Sequence, residues 1–274
     1  MRAFPFNGEG QGERASMSRL ICIGLLVAIL LIGCAPATPS PTLAPTRPLA
    51  VARECVGGQP APQPATITAA DGVQLAATFY PSNAGKGQRS PAILLLHMVG
   101  RNKESWGDFA RFVQECSRYA LLALDLRGHG ASGGSQEWDK MPQDVAAAWA
   151  ALTRRPEIDP ERTAIVGASI GANLALVQAA SEPRIKGVVL LSPGLEYRGI
   201  KTADPMQAYG QRPVLIAAAE GDSYAADSSR KLNDLARGTH HLEMFAGNAH
   251  GTDLLSAQPA LRWLILDWLE KMLG

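Results

Sequence analysis

The chain has 274 residues, 46% of them hydrophobic, and a formal charge of +1 at neutral pH. That balance suits one globular domain with a large core and gives no electrostatic basis for binding nucleic acid.

Residues 20–32 (LICIGLLVAILLI) are an apolar run preceded by Arg14 and Arg19. The run is too short to span a bilayer comfortably and suits the hydrophobic region of a signal peptide. It ends in Leu31-Ile32-Gly33-Cys34, which resembles the lipobox of bacterial lipoproteins. The resemblance implies removal of residues 1–33 as a signal peptide and diacylation (palmitate-type) of Cys34 as the mature N-terminus. The protein is then expected to be exported and anchored in a membrane through lipid on Cys34. Met17 is an internal alternative start that leaves a short basic leader. Residues 34–64 are then the lipidated cysteine and a tether rich in Pro, Ala and Thr, including Pro36, Pro39, Pro41, Pro45 and Pro48. Such a segment buries no core and tends toward extended polyproline II.

The globular domain is expected over residues 65–274. Residues 65–80 alternate around Asp71-Gly72, a hairpin signature. Buried strands are predicted at 91–97, 121–126, 163–166, 187–191 and 214–218, where apolar runs are short and continuous. Helices are predicted at 105–117, around Val145, Trp149 and Leu152, at 170–179, 227–236 and 259–273. A further strand is predicted at 240–245. Strands alternating with helices argue for an α/β fold with a mostly parallel sheet covered on both faces and an antiparallel hairpin at its amino-terminal edge.

Residues 167–171, Gly-Ala-Ser-Ile-Gly, form a G-x-S-x-G turn between an apolar strand and a helix. A sharp turn there needs small neighbours and exposes the Ser169 hydroxyl at a helix N-terminus, where negative charge is favoured. The bland reading of Ser169 is a helix N-cap. Four patterns, LLLHMVG, DLRGHGAS, IVGASIG and AAEGD with NAHG, follow one another along the chain. Together they resemble the α/β-hydrolase superfamily, and within it the small, lidless dienelactone-hydrolase-like and esterase-like members. Dienelactone hydrolases carry Cys where this chain has Ser169, so their lactone substrate does not carry over.

The resemblance implies a catalytic Ser169, an orienting Asp222 and a general base His250, in that chain order. His97, His129, His240 and His241 are the other histidines; His97 reads as structural support for its loop. Asp227 and Asp253, and less well Glu220, are alternatives to Asp222. The resemblance also implies an oxyanion hole from the backbone N–H groups of Met98 and Ile170. Met98 replaces a glycine common in relatives, which keeps the donor and adds a side chain that either shapes the acyl pocket or packs as a core methionine. The sequence carries no P-loop, no clustered Cys/His spacing and no dinucleotide fingerprint, so no metal or cofactor is expected.

The function expected is a serine hydrolase, carboxylesterase-like, acting on a small-molecule ester through an acyl-enzyme. Its alternatives are a peptidase or amidase on the same triad, or a catalytically silent lipoprotein that binds a ligand or partner. Between the strand ending near Leu191 and the one starting near Val214, residues 192–212 hold three glycines and two prolines. That reads as loop with at most one short helix, no large cap domain, and preference for small or short acyl chains. Cys55 and Cys116 would be able to bridge after export, though Cys116 reads equally as a buried apolar residue.

Overall fold

The computed structural model describes residue 55, residues 57–85 and residues 87–274. The expectations for the signal peptide, for Cys34 and for most of the tether lie outside these residues. Among the described residues no helix is long and apolar enough to cross a membrane.

Among the described residues ten strands and seven α-helices follow one another, beginning β1 (Gln63–Thr68), β2 (Gln74–Tyr80), β3 (Ser90–Leu96), α1 (Gly107–Cys116), β4 (Ala120–Leu124), α2 (Met141–Thr153), β5 (Ile158–Ala168), α3 (Ile170–Ser181) and β6 (Ile185–Leu191). A two-residue hairpin comes next, β7 (Glu196–Tyr197) and β8 (Ile200–Lys201). The chain ends with α4 (Ala203–Tyr209), β9 (Val214–Ala219), α5 (Ser223–Leu235), β10 (His240–Phe245), α6 (Asp253–Ala257) and α7 (Ala260–Leu273).

Eight strands form one sheet in the order β1-β2-β4-β3-β5-β6-β9-β10. The β1–β2 and β2–β4 pairs are antiparallel and every other pair is parallel. The alternation of side chains along β3 explains the layering, because successive residues face opposite sides of a strand. Ala92, Leu94 and Leu96 enter a core shared with α2, α3 and α4, whereas Ile93 and Leu95 enter one shared with α1, α6 and α7. Both faces of β3 are thus covered, as a parallel strand requires.

The expected elements differ from the structure mainly at two places. Strand β5 reaches back to Ile158 through an irregularity in its pairing with β3, upstream of the apolar run at 163–166. Helix α5 starts at Ser223, directly after Asp222, rather than near Asp227. Between β6 and β9 the connection holds only the small hairpin and the seven-residue α4, so no large cap covers the carboxyl edge of the sheet among the described residues.

Cys55 is disulfide-bonded to Cys116 at the end of α1, with the Cα atoms 4.1 Å apart. The Gln114 amide donates to the Pro60 carbonyl at 3.0 Å, a second tie between α1 and the segment leading into β1. Arg127, buried after β4, ion-pairs with Asp144 of α2 at 2.5 Å and with Asp71 of the β1–β2 turn at 2.9 Å. This joins the hairpin to the helical layer and gives the Arg-Gly-His-Gly turn a structural role.

Candidate active site

Ser169 occupies the one residue between β5 and α3, with φ 55° and ψ −121°. Positive φ strains a non-glycine residue, and such strain concentrates at functional turns. The turn is possible only because its neighbours lack side chains. A Cβ on Gly167 would strike the backbone of Gly171, and one on Gly171 would strike the carbonyl of Leu96. Ser169 sits at the N-cap position of α3, yet its side chain makes no capping hydrogen bond. The capping explanation for this serine therefore fails, and its hydroxyl is left for other work.

The sheet order places the remaining groups around it. Asp222 follows β9 and His250 follows β10, both on the flank of β5 that begins with β6. The His250 Nδ1–H donates to Asp222 Oδ2 at 2.5 Å. Asp222 is at the N-cap position of α5 and, like Ser169, makes no side-chain cap there. Its carboxylate is turned to the imidazole instead. With Nδ1 carrying the shared proton, Nε2 is the ring's acceptor. The alternative acids are engaged elsewhere: Asp253 with Arg101, and Asp227 and Glu220 with Arg230.

No hydrogen bond joins Ser169 to His250 in this structure. Tyr197 connects them spatially. Its phenol lies beside the Ser169 hydroxyl, and its ring stands edge-on to the imidazole with centroids 6.3 Å apart.

Met98 comes from the other flank, on the loop after β3, and Ile170 directly follows Ser169. The contact of Gly171 with the carbonyls of Leu96 and His97 sets the loop after β3 against the start of α3. Ile170 is the first residue of α3, where a helix leaves its N–H groups unpaired. The Met98 side chain is buried, its sulfur packed against Gly251 of the His250 loop.

His97 supports that loop. Leu126 N–H donates to His97 Nε2 at 3.0 Å, so Nδ1 carries the proton and donates to the Met98 carbonyl at 2.8 Å. Burial pulls its pKa down to about 4, and the imidazole stays neutral. A base with both nitrogens committed has none free for a hydroxyl. Asp125, fully buried, accepts from Lys103 N–H at 2.6 Å and from Lys103 Nζ at 2.9 Å, which fastens the other end of the same loop. His241 pairs with Glu243, and the rings of His129 and His240 bond backbone carbonyls.

Three residues at the site escaped the sequence reading. Ser192, at the end of β6, is buried with φ 50°, and its hydroxyl accepts from Gly251 N–H at 2.9 Å. Asn173 of α3 donates to the Ile200 carbonyl at 2.8 Å and accepts from Gly194 N–H at 3.0 Å, clasping the loop that bears Tyr197. Nothing local distinguishes Ser192, Asn173 or Tyr197 from ordinary loop and helix residues.

Residues 91–236 match the family model described as alpha/beta hydrolase fold. A polyketide transferase of Stachybotrys chlorohalonatus is 32% identical over 132 residues, covering 46% of this chain and 43% of that protein. The chain spans less than half the length of such curated relatives. Among solved structures, a dienelactone hydrolase from Anabaena variabilis superposes with a TM-score of 0.65 at 18% identity, covering 79% of this chain and all (100%) of that one. A Pyrococcus furiosus esterase superposes with a TM-score of 0.65, also at 18% identity, covering 80% of this chain and 98% of that one. At such identities the superpositions speak for the fold, whereas the family match takes in more than half of the sequence. The chain belongs to the alpha/beta hydrolase fold family.

Proposed function

We propose that this protein is a serine hydrolase that cleaves carboxylic esters of small or short-chain acids through an acyl-enzyme. The observation that carries this is the 2.5 Å Asp222–His250 hydrogen bond at the sheet edge where Ser169 is held in a strained turn. Ser169 Oγ attacks the ester carbonyl while His250 Nε2 takes its proton. Asp222 holds the imidazole through Nδ1 and stabilises the imidazolium. The N–H groups of Met98 and Ile170 receive the developing oxyanion. The imidazolium returns the proton to the leaving alcohol, and water then releases the acid by the same steps in reverse roles.

Labelling by a fluorophosphonate tests the reading directly. Wild type is labelled at Ser169 and hydrolyses acetyl esters; Ser169→Ala does neither. A wild-type protein that is neither labelled nor active would favour a silent binding protein, and turnover of aminoacyl amides above esters would favour a peptidase.

The same proposal includes an anchor. Cys34 carries the lipid, residues 34–64 tether the domain, and the enzyme works on the extracytoplasmic side of a membrane. A disulfide in the domain suits an oxidising compartment, which supports export. A mature N-terminus at residue 34 and loss of processing in Cys34→Ser are the expected results; mature protein that retains residues 17–33 would exclude it.

A further inference from the structure

The acyl-enzyme scheme leaves one group at the site without a role. Tyr197 belongs to the short β7–β8 hairpin, and its phenol is held beside the Ser169 hydroxyl. We propose that Tyr197 is the leaving-group donor of this site: its hydroxyl hydrogen-bonds the ester's departing oxygen as the carbon–oxygen bond breaks. The proposal rests on the serine hydrolase reading and deepens it.

Topology argues for the leaving-group side. In the sheet, β5 lies between β3 and β6. The loop bearing Met98 comes from β3, so that oxyanion donor approaches Ser169 from that flank, while Ile170 adjoins Ser169 itself. Tyr197, Asp222 and His250 follow β6, β9 and β10, all on the opposite flank. The departing oxygen must sit within reach of His250 Nε2 to collect its proton. A hydroxyl beside Ser169 Oγ, on a ring that stands edge-on to His250, is on that side of the reacting carbon.

The phenol is also prepared for this work. Its ring packs on Gly194, where a Cβ would collide with it, and edge-on against Tyr224 at 5.5 Å. Tyr224 is in turn pinned: its hydroxyl donates to the Glu196 carbonyl at 2.9 Å and accepts from Glu196 N–H at 3.0 Å. Asn173 holds the same segment from α3. A ring fixed in this way loses little freedom when substrate arrives. The Tyr197 hydroxyl reaches the Ser192 carbonyl only at 3.4 Å, a long contact that a developing alkoxide would displace. Burial and the nearby Asp222 carboxylate push its pKa above the usual phenol range, so it stays a donor.

In the step itself, Ser169 Oγ bonds to the carbonyl carbon and its proton passes to His250. The carbon–oxygen bond to the alcohol then breaks, and the alkoxide oxygen takes that proton from the imidazolium. Tyr197 keeps its own proton throughout and lowers the energy of the charged oxygen by sharing it.

Leaving groups that differ in basicity separate this role from packing. Ethyl acetate and p-nitrophenyl acetate form the same acetyl-enzyme, so their kcat/KM values differ only in acylation, and the ratio of wild type to Tyr197→Phe for each ester cancels the ester's own reactivity. p-Nitrophenolate leaves with little help, whereas ethoxide needs it. In Tyr197→Phe, kcat/KM is expected to fall at least about tenfold more for ethyl acetate than for p-nitrophenyl acetate, the scale on which one lost donor to a charged oxygen is felt. Fluorophosphonate labelling, in which fluoride departs without a proton, reports separately on Ser169. Equal changes for the two esters, with labelling retained, would overturn the Tyr197 role and leave the hydrolase reading standing. Absence of labelling and turnover in the wild type would overturn both.

Discussion

Ser192 Oγ accepts a 2.9 Å hydrogen bond from the N–H of Gly251, the residue after His250. This ties the end of β6 to the loop after β10, across β9. Ser192 is itself fixed by its own N–H, which donates to the Ala217 carbonyl of β9 at 2.7 Å. Asp222 thus holds the imidazole by its ring, and Ser192 holds the chain beside it at Gly251. Ser192→Ala should leave Gly251 N–H buried and unpaired at a cost of about 1–3 kcal/mol. The expected result is a lower melting temperature together with a fall in kcat for short esters, with KM little changed. Wild-type kcat in that variant would show that Asp222 alone suffices to place His250.

The strain at Ser169 has a measurable counterpart. At φ 55° and ψ −121° a glycine is unstrained, while serine there costs about 1–3 kcal/mol. Ser169→Gly should therefore unfold at higher denaturant than wild type while losing all turnover. Ser169→Ala should be inactive without that gain, and adding His250→Ala to it should cost little further activity, because such groups act as a unit.

His97 predicts a pH dependence of stability. Its folded pKa is lowered to about 4, against an unfolded value near 6.5. Between these values the unfolded chain binds the proton and the folded one does not, so stability falls as pH drops. The contribution is complete above about pH 6.5 and gone once pH has fallen through about 4. Denaturant unfolding at pH 7, 5.5 and 4.5 should show a one-proton slope from this group. In His97→Gln, whose amide oxygen can still accept from Leu126 N–H, that part of the slope should vanish.

The Cys55–Cys116 bridge closes a span of 61 residues. By loop entropy it limits the unfolded chain by about 4 kcal/mol, with engineered and native bridges commonly giving about 2–4. Reduction, or Cys116→Ser, should lower the unfolding free energy by that order. Intact mass of the unreduced domain should fall two mass units short of the dithiol form; two free thiols would contradict the bridge.

The open carboxyl edge sets a limit on substrate size. Only the β7–β8 hairpin and α4 separate β6 from β9. Burying a methylene contributes about 0.8 kcal/mol, and a cleft without a lid leaves most of a long chain in water. Esters of C2–C4 acids should be preferred to those of C12–C16 acids, with no jump in rate on micelle formation. Preference for the long chains, or activation by micelles, would overturn the open-cleft account.

The features legible in the sequence are those whose physics is local. Apolar runs such as residues 92–96 become buried strands because hydrogen bonding and burial on both faces leave few other outcomes. Asp71-Gly72 turns a hairpin through glycine at φ 85°. Gly167 and Gly171 mark the elbow because no other residue fits against the backbone that crosses it. The order of such elements points to the fold class, and the family resemblance their motifs carry nominates Asp222 and His250. That these two meet at 2.5 Å, across 28 residues of chain, was decided by the parallel pairing of β9 with β10. Ser192 and Gly251 are 59 residues apart, and Cys55 and Cys116 are 61 apart. Tyr197 lies beside Ser169 on a loop that Asn173 clasps to α3. Such contacts have no periodicity or composition of their own. They exist only after the sheet has assembled, because the pairing of the strands sets where the loops that carry these groups emerge.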